Sequence, residues 1–125
     1  MPGKRVLVVE DDFMNMKLAQ HVLESQGYTV FKATTGQEAL NQIKANPPNL
    51  ILMDIQLPDI DGMTLVRIIR AKDTTRETAI LALTASAMKG DREKILKTGC
   101  NDYISKPINV ENFISTVRRY LGSRN

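Results

Sequence analysis

Apolar residues in this chain fall into two kinds of pattern, continuous runs and stripes at helical spacing. Val6-Leu7-Val8-Val9, Leu50-Ile51-Leu52-Met53 and Ala79-Ile80-Leu81-Ala82-Leu83 are unbroken. Runs of this kind mark strands buried on both faces, which belong to parallel sheets covered by helices. Thr29-Val30-Phe31 reads as an edge strand, and Tyr103-Ile104-Ser105-Lys106-Pro107 as a last short strand. Between the runs the spacing turns helical. Asp12 caps a first helix over about residues 13 to 26, with Met14, Leu18, Val22 and Leu23 inward and Gly27 as the stop. Thr35 and Glu38 have capping-box spacing and open a second helix carrying Ala39, Leu40 and Ile43, which ends before Pro47-Pro48. Asp61 caps a third with Leu65, Ile68 and Ile69 inward. A fourth lies between about residues 87 and 98, closed by Gly99. Asn109 caps the last, whose stripe is Val110, Phe113, Ile114, Val117 and Leu121.

The alternation is βαβαβαβαβα, which predicts an α/β fold with helices on both faces of a parallel sheet. A flavodoxin-like (βα)5 doubly wound arrangement, strand order 2-1-3-4-5, sets the first and third strands side by side at the switch point. Ligands in such folds bind at the carboxyl ends of the strands. There the sequence puts Glu10-Asp11-Asp12, then Asp54, Thr84 and Lys106. Glu10, Asp11 and Asp54 repel one another unless a cation intervenes, and an all-oxygen set of this kind suits Mg²⁺. The chemistry suggested is phosphoryl transfer with Asp54 as nucleophile, because carboxylates form aspartyl-phosphates. About −3 from the acids meets +2 from the metal and +1 from Lys106, so a phosphoryl group can approach.

Composition narrows the field. A chain of 125 residues, 42% hydrophobic and 25% charged, fits one globular domain spanning residues 1–125. No apolar run approaches the ~18 residues of a membrane span, and the N-terminus lacks a signal-peptide pattern, so a cytoplasmic protein is expected. The net charge of +3 is scattered and not interleaved with aromatics, which speaks against nucleic-acid binding. Cys100 is the only cysteine and reads as a packing residue; His21, the only histidine, reads as an exposed helical position.

Taken together, Val8-Val9-Glu10-Asp11-Asp12, Leu52-Met53-Asp54 with Pro58 and Gly62 after it, Leu83-Thr84-Ala85 and Ser105-Lys106-Pro107 resemble the response-regulator receiver domains, the CheY-like family. The resemblance runs from Lys4 to Leu121. Within the family, Asn15-Met16-Lys17-Leu18, residues 53–58 and Ala87-Met88-Lys89-Gly90-Asp91 are similar to a single-domain cell-cycle regulator. The resemblance implies a two-component phosphorelay switch and not a classical enzyme, with only weak self-phosphorylation and dephosphorylation. Asp54 is the implied phospho-acceptor. Asp11, Asp54 and the Gln56 backbone carbonyl are the implied direct Mg²⁺ ligands, with Glu10 acting through water where the family often has Asp. Thr84 and Lys106 are expected to contact the phosphoryl group, with a cis bond before Pro107. Tyr103 is expected to turn inward with Thr84, and Gln56 and Ser86 to tune the lifetime. The implied partners are a sensor histidine kinase or histidine phosphotransferase, with Phe13, Met14 and Met16 near the dock, and a downstream protein. A monomer or weak dimer is expected, and the short tail after Leu121 suggests a free-standing chain.

Two other classes fit less well. A haloacid-dehalogenase-like phosphatase wants a second acid two residues after its nucleophile, and here Gln56 stands. A flavodoxin-like cofactor binder wants a hydroxyl- and glycine-rich phosphate loop, not Glu10-Asp11-Asp12.

Overall fold

The computed structural model describes residues 3–85 and 89–122. Strands β1 (Arg5–Val9), β2 (Thr29–Ala33), β3 (Leu50–Asp54), β4 (Ala79–Thr84) and β5 (Asp102–Ser105) alternate with helices α1 (Phe13–Ser25), α2 (Gly36–Ala45), α3 (Gly62–Ala71), α4 (Lys89–Thr98) and α5 (Val110–Leu121). The strands form one parallel sheet in the order β2-β1-β3-β4-β5, the flavodoxin-like order that the alternation predicts.

Alternation along the strands divides the core into two layers, because successive side chains point to opposite faces. Val6, Val8, Leu50, Leu52, Leu81 and Leu83 face α1 and α5, against Leu23, Phe113 and Val117. Leu7, Val9, Ile51, Met53, Ile80 and Ala82 face α2, α3 and α4, against Ile43, Leu65, Ile69 and Ile95. Every residue of β3 is buried, as its unbroken apolar run requires.

Helix ends follow the predicted chemistry. Asp12, Asp61 and Asn109 accept from the N–H groups of Asn15, Thr64 and Asn112. Thr35 Oγ1 accepts from Glu38 N, but Glu38 Oε1 reaches past the cap residue to Thr34 N at 2.7 Å, so the box is closed one residue earlier than its usual form.

Three helix faces are rotated from expectation. In α1 the buried set is Met16, Ala19, Val22 and Leu23, while Met14 is 69% exposed and Leu18 is also at the surface. In α3 Val66 is buried and Ile68 only half-buried. In α5 Thr116 takes a core position and Val110 is exposed. Helices α1 and α3 have more apolar residues than one face can hold, so spacing alone admits two neighbouring faces, and the sheet selects between them. In α5 the Thr116 hydroxyl can be buried because it donates to Asn112 O at 2.8 Å. Ser86 and the expected start of the fourth helix at 87 lie outside the described residues.

Candidate functional site

The site begins with strand register. Val9 pairs with Met53, so the next residues, Glu10 and Asp54, stand level at the carboxyl edge. Both have the parity of Val8 and Leu52 and lean toward the α1 and α5 face. Glu10 is fully buried and Asp54 nearly so, while Asp11, one step further, is exposed. One carboxylate oxygen from each of Glu10, Asp11 and Asp54 lies within 4.8 Å of the others.

Lys106 enters from the end of β5, after its backbone N–H donates to Thr84 O at 2.8 Å. The bond that follows, Lys106–Pro107, is cis, the isomer that the family resemblance implies. Lys106 Nζ donates to Asp54 Oδ2 at 2.9 Å and lies 2.9 Å from Glu10 Oε1. The Glu10 contact is one of charge; Glu10 Oε1 makes no aligned hydrogen bond among the described residues. The second Glu10 oxygen accepts from Asp12 N at 3.0 Å, and Asp54 Oδ1 accepts from Gln56 N at 2.9 Å. Burial pushes the Glu10 carboxyl above its ordinary range, against the opposing pull of the Asp12 N–H and Lys106. Burial also works against the Lys106 ammonium, but its hydrogen bond to Asp54 and the negative charges of Glu10 and Asp54 outweigh it and hold Lys106 above the usual lysine range.

Three acids with one ammonium leave about two negative charges in a partly buried cluster, with a buried, poorly satisfied oxygen on Glu10. Hard oxygen donors of this number and charge fit a small divalent cation.

The remaining predicted residues gather around this cluster to different degrees. Thr84 ends β4, buried, one residue beyond the Asp54–Leu83 pair. Gln56 is exposed on the β3–α3 loop, bridged to Asp61. Tyr103 on β5 is half-buried against the second core layer. Its hydroxyl accepts from Arg92 Nη1 of α4 at 2.9 Å, and the guanidinium lies over its ring at 5.8 Å. Arg92 escaped the sequence reading because an exposed helical arginine is unremarkable without its partner. Asp59 escaped it too. Its carboxylate accepts from Gly36 N and Gln37 N at the start of α2, and these bonds, with the Gly36 N–H foremost, hold its carboxyl below the ordinary aspartate range.

The response regulator receiver domain family matches residues 6–118. The chain belongs to that family. This receiver domain is 45% identical over 119 residues to the polar-differentiation response regulator DivK of Brucella anthropi, covering 95% of this chain and 97% of that protein. Its counterpart in Brucella suis is 44% identical over the same coverage. Among solved structures, the receiver domain of a sensor histidine kinase from Pseudomonas aeruginosa is 38% identical with a TM-score of 0.88, covering 97% of this chain and 99% of that one. That structure carries a magnesium ion in its active-site cleft. The chemotaxis response regulator CheY4 of Vibrio cholerae is 28% identical with a TM-score of 0.90, covering 94% of this chain and 98% of that one. The receiver fold and its place in two-component signalling are thus common ground. No helix among the described residues is long and apolar enough to cross a membrane.

Proposed function

We propose that this receiver acts as a single phospho-acceptor unit of a phosphorelay. On this reading it takes a phosphoryl group from a partner's phosphohistidine onto Asp54 and signals by binding another protein in the cytoplasm. The observation that carries it is the Lys106 ammonium held 2.9 Å from carboxylates of both Glu10 and Asp54, beside exposed Asp11. Asp11, Asp54 and the Gln56 carbonyl would hold Mg²⁺, with Glu10 acting through water. A bound Mg²⁺ would supply charge neutralisation for the phosphoryl oxygens.

An Asp54 carboxylate oxygen attacks phosphorus as the P–N bond to the donor imidazole breaks, and the leaving nitrogen keeps the bonding pair. Lys106 stands ready to move from carboxylate to phosphoryl oxygen, since its ammonium already touches Asp54. Thr84, at the neighbouring strand end, supplies a hydroxyl to the same group. Tyr103 then follows Thr84 inward and alters the surface formed by α4, β5 and α5. Attack of water on phosphorus releases inorganic phosphate and restores the carboxylate, at a rate tuned by Gln56 and Ser86. Phe13 and Met14, 71% and 69% exposed beside the site, suit a donor's helix.

The test is incubation with acetyl phosphate, with and without Mg²⁺, read by intact mass. One phosphoryl group is expected on the wild-type chain with Mg²⁺, and none on Asp54→Asn or in excess chelator. A modified D54N chain would overturn the reading.

A further inference from the structure

The first four N–H groups of a helix have no partner within it. At α2 three of them have partners. Glu38 N donates to Thr35 Oγ1 at 3.1 Å, just ahead of the first bond within the helix, Ala39 N to Thr35 O. The other two, Gly36 N and Gln37 N, donate to the two carboxylate oxygens of Asp59 at 2.8 and 3.0 Å. This second cap comes from another segment, the β3–α3 loop. It sets a negative charge on the positive end of the helix, in a two-pronged geometry that fixes direction as well as distance.

The same loop is held elsewhere too. A Cβ on Gly36 would stand 3.0 to 3.2 Å from the Ile60 side chain, so only a glycine lets the loop lie this close to the helix without displacing Ile60. At its far end Gly62 N donates to Ile55 O, and at its near end Gln56 N donates to Asp54 Oδ1. Asp54, Gln56 and Asp59 therefore ride on one short, tied segment. Its only charged anchor to α2 among the described residues is Asp59.

We propose that Asp59 is a positioning residue for the cation site: by docking the β3–α3 loop on the N-terminus of α2, it fixes where Asp54 and the Gln56 carbonyl stand relative to Glu10 and Asp11. The inference deepens the reading of Asp54 as a magnesium-assisted acceptor and rests on it. Asp59 touches neither the cation nor the phosphoryl group. It acts only through the loop, as outer groups orient the ligands of other metal sites.

The experiment is a Mg²⁺ titration of the intact chain, followed by the backbone amide shifts of residues 54–56, with hydrogen exchange of the Gly36 and Gln37 amides alongside. Asp59→Ala is expected to weaken Mg²⁺ binding on the order of tenfold and to deprotect both amides. Asp59→Asn keeps one acceptor oxygen and should recover part of the affinity. Thr35→Ala removes the local cap of the same helix without touching the loop, so it should lower thermal stability while leaving the Mg²⁺ Kd unchanged. Wild-type affinity in D59A, or an equal loss in T35A, would overturn the positioning role alone. A wild-type chain with no magnesium-dependent shift would overturn it together with the acceptor reading.

Discussion

Lys106 is the residue on which the electrostatics of the site turn. Its ammonium is the one cationic group that the described residues place between Glu10 and Asp54. Glu10 is wholly out of solvent, so removing the ammonium leaves a buried carboxylate without an opposite charge. Lys106→Met should therefore cost about 2 kcal/mol in urea unfolding with chelator present. Added Mg²⁺ should restore more stability to the variant than to wild type. An unchanged midpoint would show that Glu10 does not depend on the lysine. At this scale the sequence was legible wherever a residue sits at its own strand end. Glu10, Asp11, Asp54 and Thr84 follow apolar runs and Lys106 follows the short strand β5, and parity decides which way they face. Asp59 and Arg92 were not legible, since their partners lie 22 to 23 and 11 residues away and nothing in local spacing joins them.

Among the elements, the join of β3 to α3 is the most constrained. Gly62 opens α3 with its N–H on Ile55 O, and a Cβ there would fall 2.6 Å from that oxygen and 2.7 Å from Ile55 Cα. Backbone cannot yield as a side-chain tip does. Gly62→Ala is thus expected to lose about 2 to 3 kcal/mol and to shift the amide resonances of residues 54–56, a change a purely helical effect would not produce. A wild-type unfolding midpoint would refute the close approach. Helix caps were readable because they are local: Asp12, Thr35, Asp61 and Asn109 each bond an N–H three residues on. Helix faces were readable only in part. Met14 and Leu18 have the spacing of a core stripe in α1, yet Met16 and Ala19 are the ones the sheet covers. Phe13 and Met14 stay outside, next to the acidic pocket.

Across the whole molecule, the carboxyl edge of the sheet gathers the acids and Lys106, and the opposite edge carries a clamp. Arg70, at the end of α3, donates to the carbonyl oxygens of Thr75, Arg76 and Thr78 in the α3–β4 connection. It also donates to Gly99 O and Asn101 Oδ1 in the α4–β5 corner, and Asn101 Oδ1 in turn accepts from Ile80 N. Beside it Cys100 is buried, and burial pushes its thiol up to about 11, so it packs and does not react. Replacing Arg70 with Met should cost about 1 to 2 kcal/mol in global stability, because several carbonyls, most of them half-buried, lose a charged donor at once. Phosphoryl acceptance from acetyl phosphate should persist in that variant; its loss at temperatures where the chain is folded would contradict the separation of clamp and site. The sequence by itself determined the element order, the parallel sheet and the edge at which the acids collect, because strand period, helix period and capping are set by near neighbours. Only the tertiary structure decided the two-pronged cap by Asp59, the arginine contacts of Tyr103, the Arg70 clamp and which face of α1 turns inward. Those depend on distances between segments remote in the chain, where side-chain reach and available volume choose among partners that local spacing leaves equal.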